Sequence, residues 1–364
     1  MRSFDVYQQR LDEVSRSFAL CIPQLRPPFR DHVALAYLLM RVLDTVEDAP
    51  YSDDPGKSPT GGKPLQQRQF DRLRGFLRAL PPATEVDAFV AAFPPGITDG
   101  ERALLADTHA LLEDGHGLAP ATRAVIFGTV DRMALGMAAY QRRPQPLRLV
   151  DTEDVTRYCC FVAGVVGELL TQLWALHDDG PAPAMRLAYH FGLFLQKVNI
   201  VKDRHEDEAA GRFLVPDLDE LLASVHVHAA GALEYIQALP PGERGYRTFC
   251  AWCLMLGADA IGRLPARAHG PLPSRRVETG ELLARTAAIA TDNAALSRLF
   301  AELMPPVQRA HVAPHRAPQL QPQPLAKPES AEWFRATLAA PLDAGELAEL
   351  GIAVARTPSS ALAG

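Results

Sequence analysis

Residues Gln196–Asp207 read QKVNIVKDRHED, a run with helical periodicity whose polar residues fall in a line. Gln196, Asn199, Asp203 and Asp207 sit at offsets 0, 3, 7 and 11. At about 100° per residue those offsets share one stripe of a helix. Phe194, Leu195, Val198, Ile200 and Val201 are apolar around them. A solvated helix does not alternate in this way. The stripe is read as carboxylates and amides pointing into a cavity with apolar walls.

Tyr37–Asp48, YLLMRVLDTVED, is built alike. Tyr37, Arg41, Asp44 and Asp48 lie at offsets 0, 4, 7 and 11, among Leu38, Leu39, Met40, Val42 and Leu43. Two helices that each carry two carboxylates one turn apart can meet across a gap. Carboxylate oxygens suit Mg²⁺, which usually keeps several waters and shares substrate phosphates. The spacing predicts a diphosphate site clamped by metal ions between two helices. The competing reading, i,i+4 charges on solvated helices, fits one such motif better than two set in apolar helices beside an Arg or Lys.

The chain has 364 residues, 48% hydrophobic and 22% charged, enough for a sizeable core in one large helical domain or two smaller ones. A net charge of −6 gives no general affinity for nucleic acid. Cys21, Cys159, Cys160, Cys250 and Cys253 are odd in number and set in apolar surroundings, which fits reduced, packed thiols in a cytoplasm. Met1–Arg16 is polar and acidic, unlike a signal peptide, and no run of about 20 apolar residues predicts a membrane span. The expected localisation is cytoplasmic, peripheral to a membrane at most. No GxGxxG and no Walker motif is present.

Along the chain, Ser15-Arg16-Ser17-Phe18 offers two hydroxyls and a guanidinium, read either as a phosphate contact or as a helix N-cap beside a solvated Arg. Helices are predicted over His32–Asp48, Gln66–Leu80, Asp99–Glu113, Pro120–Gln141, Asp151–Leu176, Ala184–Ala210, Asp217–His228, Ala229–Leu239, Tyr246–Leu264 and Gly280–Met304. Pro50–Pro64 reads as a loop. Gly164 and Gly167 with Ala163 clear one face of their helix beside Tyr158 and Val162, for a close helix crossing or for a ligand. Almost no stretch alternates as a strand does, so the fold class is all-α. Pro305–Pro328 holds seven prolines in 24 residues and reads as a linker between a 1–304 helical domain and a short 329–364 extension.

These residues resemble the squalene/phytoene synthases, the head-to-head prenyl diphosphate condensing enzymes. SRSFAL at Ser15–Leu20, YLLMRVLDTVED at Tyr37–Asp48, YCCFVAGVVG at Tyr158–Gly167 and GLFLQKVNIVKDRHED at Gly192–Asp207 carry the resemblance, in the family's order, from about Ser15 to Met304. The last two look more like squalene synthases. The resemblance implies a single all-α domain of the isoprenoid synthase type with a central cavity. It implies condensation of two farnesyl diphosphates to presqualene diphosphate, then reduction by NADPH to squalene. It assigns Asp44, Asp48, Asp203 and Asp207 to Mg²⁺, with Glu47 and Glu206 in the same acidic motifs but off the main stripe. Arg16, Ser17, Arg41, Lys202 and Arg212 would bind diphosphate oxygens, Tyr158 would stand by the first carbocation with Tyr37, Arg41 and Val162 in the same site, and Gln196 and Asn199 would sit by the metal or the leaving group.

The sequence departs from the family in the basic loop thought to help bind NADPH. Ser274–Thr279, SRRVET, supplies Arg275 and Arg276 but places Glu278 at an expected basic position. The hydrophobic C-terminal anchor of the eukaryotic enzymes is not seen, and Cys253 stands where a proline is common. Two alternatives follow: a family enzyme with another product (presqualene diphosphate, hydroxysqualene, dehydrosqualene or phytoene), and a non-catalytic assembly partner, against which the intact acidic motifs argue.

Overall fold

The computed structural model of the chain describes residues 1–15, 17–51, 62–178, 181–264, 276–304, 334, 337 and 342–352. Its main helices are α1 (Phe4–Val14), α2 (Phe29–Asp48), α3 (Gly62–Arg78), α4 (Pro120–Gln141), α5 (Thr152–His177), α6 (Met185–Lys202), α7 (Leu218–Ala238), α8 (Arg244–Gly262), α9 (Arg276–Ile289) and α10 (Asn293–Leu303). Shorter helices fill the connections. Among the described residues the one sheet is a two-residue parallel pairing, Leu147–Arg148 with Arg212–Phe213.

Local chemistry sets the ends. Pro120 opens α4 at a position whose N–H needs no partner. Asp151, Asp217 and Asp292 each accept a backbone N–H at the start of α5, α7 and α10. Thr98 and Glu101 form a capping box ahead of Asp99–Ala106.

Helices α2, α4, α5 and α6 surround a cavity, and α7 and α8 back α6 from outside. Helices α5 and α6 cross at two close approaches, each of a glycine on one helix to the backbone at an alanine on the other. A Cβ on Gly167 would lie 1.9 Å from the Ala188 carbonyl oxygen, and one on Gly192 2.1 Å from that of Ala163. The glycines therefore serve a helix crossing, and Gly167 and Gly192 also line the cavity. Between Thr152–Cys159 and Val165–His177, α5 runs through a π-helical turn, Cys160–Gly164. Such a turn inserts an extra residue into the helical register and recurs at functional sites.

Helix α5 is long and apolar enough to cross a membrane, yet 72% of its apolar window is buried inside the protein, as befits a core helix. Two ion pairs anchor it. Arg132 grips Glu168 through two bonds of 2.9 and 2.8 Å, and Arg143 grips Asp154 through two of 2.7 Å. All five cysteines are free and buried.

Several element boundaries differ from the sequence expectation. Asp99–Glu113 is two helices, Asp99–Ala106 and Thr108–His116. Asp217–Leu239 is one, and Gly280–Met304 is two, separated where Asp292 caps a new start. Ala83–Val90 is a helix that the pattern did not mark. The second acidic helix is not continuous: α6 ends at Lys202, Asp203 takes φ −98° and ψ 11°, and Arg204–Ala209 forms a separate turn. The predicted Pro-rich linker lies outside the described residues. The described tail packs on the helical body, with Leu347 and Ile352 buried and the Phe334 ring 5.3 Å from Phe161.

Candidate active site

The cavity has a volume of about 460 Å³, and its two ends differ in chemistry. At one end lie six carboxylates: Asp44, Glu47 and Asp48 from the last turn of α2, and Asp203, Glu206 and Asp207 from the break after α6 and the short helix beyond it. The remainder is walled by apolar side chains, among them Met40, Met133, Met137, Val162, Leu170 and Phe191. Tyr37, Arg41, Tyr158, Gln196, Asn199 and Arg212 line it too.

The two acidic groups are joined across the gap. Arg212, on the strand after the second motif, donates through Nη1 to Asp48 and through Nη2 to Asp207, the latter at 2.6 Å. Arg41 Nη1 donates to Asp44 at 2.7 Å. Among the described residues the buried Nε atoms of both arginines have no hydrogen-bond partner. Buried donors without acceptors are costly. Two guanidinium groups in a cavity lined by six carboxylates suit a polyanion that arrives with cations.

The electrostatics agree. Burial pushes Asp44 up to about 6, with Asp48 adding to the rise and Arg41 opposing it. Burial pushes Glu47 up to about 8, helped by Asp48 and Asp44. Burial and the Glu47 and Asp48 charges raise the Tyr158 phenol well above its ordinary value, so it keeps its proton. The Tyr158 ring packs edge-on against Tyr140 at 5.1 Å. These groups tolerate their ionised forms poorly, and divalent cations would relieve them.

The donor set fits Mg²⁺. All six carboxylates offer hard oxygen ligands. Among the described residues no three side chains converge as a ready-made metal cage. Mg²⁺ does not require one, since it is commonly bound through one or two carboxylates together with substrate phosphates and water. The Arg212 guanidinium places a positive charge between the motifs.

Other expected site residues fall differently. Ser17 is exposed and does not line the cavity, whereas its neighbour Phe18 does. Ser15 Oγ accepts the Phe18 N–H at 3.1 Å, so Ser15 caps this turn. Lys202 stays outside the lining and reaches Asn199 Oδ1 and Asp203 Oδ2, both at 3.3 Å. Arg16, Arg275 and the Arg276 side chain lie outside the described residues. Glu278 contacts Arg263 at 3.4 Å and is not an isolated charge.

Glu47 and Glu206, expected off the main stripe, both line the cavity. The cavity is wide enough to take more than one helical face, and Asp44, Glu47 and Asp48 at i, i+3 and i+4 are neighbours on a helix surface. The sequence reading missed the π-helical turn, Met133, Met137 and Gln141. The methionines carry no signal apart from α4 being apolar nearly all round.

The sequence model of the squalene/phytoene synthase family matches residues 11–219. The squalene synthase of Eremothecium gossypii is 36% identical over 219 residues, 57% of this chain and 45% of that protein. That of Schizosaccharomyces pombe is 30% identical over 274 residues, 67% of this chain and 55% of that protein. The chain thus spans about half the length of the curated relatives it matches. Among solved structures, a ligand complex of TcSQS superposes with a TM-score of 0.65 at 25% identity, covering 84% of this chain and 93% of that one. A dehydrosqualene synthase in complex with ligand gives 0.50 at 18% identity, covering 78% and 95%, a likeness of fold. The architecture is the all-α isoprenoid synthase fold.

Proposed function

The chain belongs to the squalene/phytoene synthase family, and on that premise we propose that it is a squalene synthase-type prenyltransferase. It joins two farnesyl diphosphates head to head through presqualene diphosphate and, with NADPH, goes on to squalene. The observation that carries the reading is the single cavity with two facing acidic motifs at one end and apolar walls at the other.

When bound, Mg²⁺ would neutralise the diphosphate that leaves on ionisation, and NADPH would supply the hydride of the second half-reaction. Asp44, Asp48, Asp203 and Asp207, with Glu47 and Glu206 beside them, would hold the metal. Arg41 and Arg212 line the cavity beside the carboxylates, and guanidinium is suited to contact with diphosphate oxygens. Stabilising the leaving anion is the main electrostatic task of such a site. The apolar walls keep water from the carbocation and leave room for prenyl chains. Tyr158 keeps its phenolic proton beside the acidic end, so its hydroxyl can hold or pass a proton at the first condensation, while the Tyr158 and Tyr37 rings offer π-faces to the cation. The described residues offer no comparable cradle for NADPH, because the only cationic side chains among them that line the cavity are Arg41 and Arg212.

The test is incubation with farnesyl diphosphate and Mg²⁺, with and without NADPH, followed by product identification. Presqualene diphosphate without NADPH and squalene with it is the expected pair. Presqualene diphosphate or hydroxysqualene alone at saturating NADPH would move the function to an enzyme that stops early, and no prenyl product at all would overturn the proposal. All five cysteines are free thiols buried in the core, which supports a reducing, cytoplasmic location for the enzyme.

A further inference from the structure

Helix α2 ends in a carboxylate that is held from outside both acidic motifs. Gln141, the last residue of α4, donates from Nε2 to Glu47 Oε1 at 3.2 Å. A second glutamine, Gln66 on α3, is fully turned to the backbone of the same place. Its Nε2 donates to the Val46 carbonyl at 3.1 Å and the Glu47 carbonyl at 2.8 Å. These carbonyls belong to the last turn of α2, where no intrahelical N–H remains to bond them. Gln66 thus holds the main chain of the motif, and Gln141 holds its side chain.

From this geometry we infer that Gln141 is a positioning residue, whose amide aims the Glu47 carboxylate into the cavity so that Glu47 acts with Asp44 and Asp48 in holding the metal–diphosphate. The inference rests on the metal reading of the site. Glu47 has three rotatable bonds, and the charges of Asp48 and Asp44 act on its carboxylate. The amide N–H on one Glu47 oxygen fixes the side chain and leaves the other oxygen for a cation. An amide donor suits this because it pairs with a carboxylate without adding a competing positive charge. The neighbouring contacts keep Gln141 in place: Arg142 Nη1 donates to Gln67 Oε1 at 3.0 Å, and Gln67 Nε2 donates to the Ala138 carbonyl at 3.2 Å, which fastens the end of α4 to α3.

The experiment is Mn²⁺ binding, followed by the loss of the free-ion electron-paramagnetic signal, in the presence of inorganic pyrophosphate and with the full chain. Wild type, Gln141→Leu, Glu47→Gln and the double variant are compared, with melting curves for each. Outer-sphere partners of metal-binding carboxylates typically contribute tenfold or more in affinity, so Gln141→Leu is expected to weaken Mn²⁺ about tenfold. Glu47→Gln is expected to weaken it at least as much, and the double variant to bind no worse than Glu47→Gln alone, because without the carboxylate there is nothing left to aim. Gln66→Leu is the structural control: it should lower the melting temperature more than Gln141→Leu does. Unchanged Mn²⁺ binding in Gln141→Leu, or losses that simply add in the double variant, would overturn the inference while leaving the metal site intact. Failure of the wild type itself to bind Mn²⁺ with pyrophosphate would overturn the metal reading, and the inference with it.

Discussion

Replacing Arg212 by Gln removes the charge that links the two acidic motifs, and its effect should depend in sign on the metal. Arg212 side-chain exposure is 33%; that of Asp207 is 11% and that of Asp48 is 45%. The Asp207 pair lies between a surface and a buried bridge and contributes about 1.5 kcal/mol, while the more exposed Asp48 pair contributes about 0.5 kcal/mol. Without metal, the variant should therefore be less stable by about 2 kcal/mol, a fall in melting temperature of roughly 3 °C. The same carboxylates are then free of competition, so Mg²⁺ alone should bind the variant more tightly and stabilise it more than wild type. Turnover of farnesyl diphosphate should nevertheless fall, because a diphosphate donor has gone. The assay is a melting series in chelator and across a Mg²⁺ titration, paired with product formation. Equal melting temperatures in chelator, or a Mg²⁺ stabilisation no larger in the variant than in wild type, would refute the view that Arg212 stands where cationic charge is needed.

Above about pH 6.5, where the buried histidines whose pKa burial lowers are neutral in both states, the metal-free enzyme should lose stability as pH rises to about 8: Glu47 is raised from 4.5 to about 8, so the folded form binds more protons than the unfolded chain across that window. Mg²⁺ should flatten this slope, and a melting temperature that instead climbs from about pH 6.5 to 8 in chelator would count against it. Gly167→Ala should cost at least about 3 kcal/mol or prevent folding, since its Cβ meets the Ala188 carbonyl at 1.9 Å, whereas Gly75→Ala, with nothing within 4 Å, should be neutral or mildly stabilising in the same melting assay. Asp203→Asn should abolish turnover by removing a ligand charge yet leave the circular dichroism spectrum and cooperative melting in place; retained turnover would exclude Asp203 from the metal.

Read alone, Glu278 repels a phosphate; in the fold it lies beside Arg263, which also pairs with Asp259. Glu278→Lys would therefore change the surroundings of Arg263 as well as the charge at 278.

The amino-acid sequence by itself determined the helical class and the two polar stripes, because both rest on the i, i+3, i+4 neighbourhood within one helix. It likewise marked Asp44, Asp48, Asp203 and Asp207 as carboxylates set among apolar residues. Their convergence depends on how α2 and α6 lie across the cavity, which the Gly167–Ala188 and Gly192–Ala163 approaches help to set. The break at Asp203 and the extra turn at Cys160–Gly164 answer to packing and interrupt patterns that read as continuous. Arg212 meets Asp48 across 164 residues of chain, and Gln141 meets Glu47 across 94. A sequence fixes the direction of each side chain about its own helix axis. What stands opposite it is fixed only when the helices pack, and there the partners of the candidate active site were chosen.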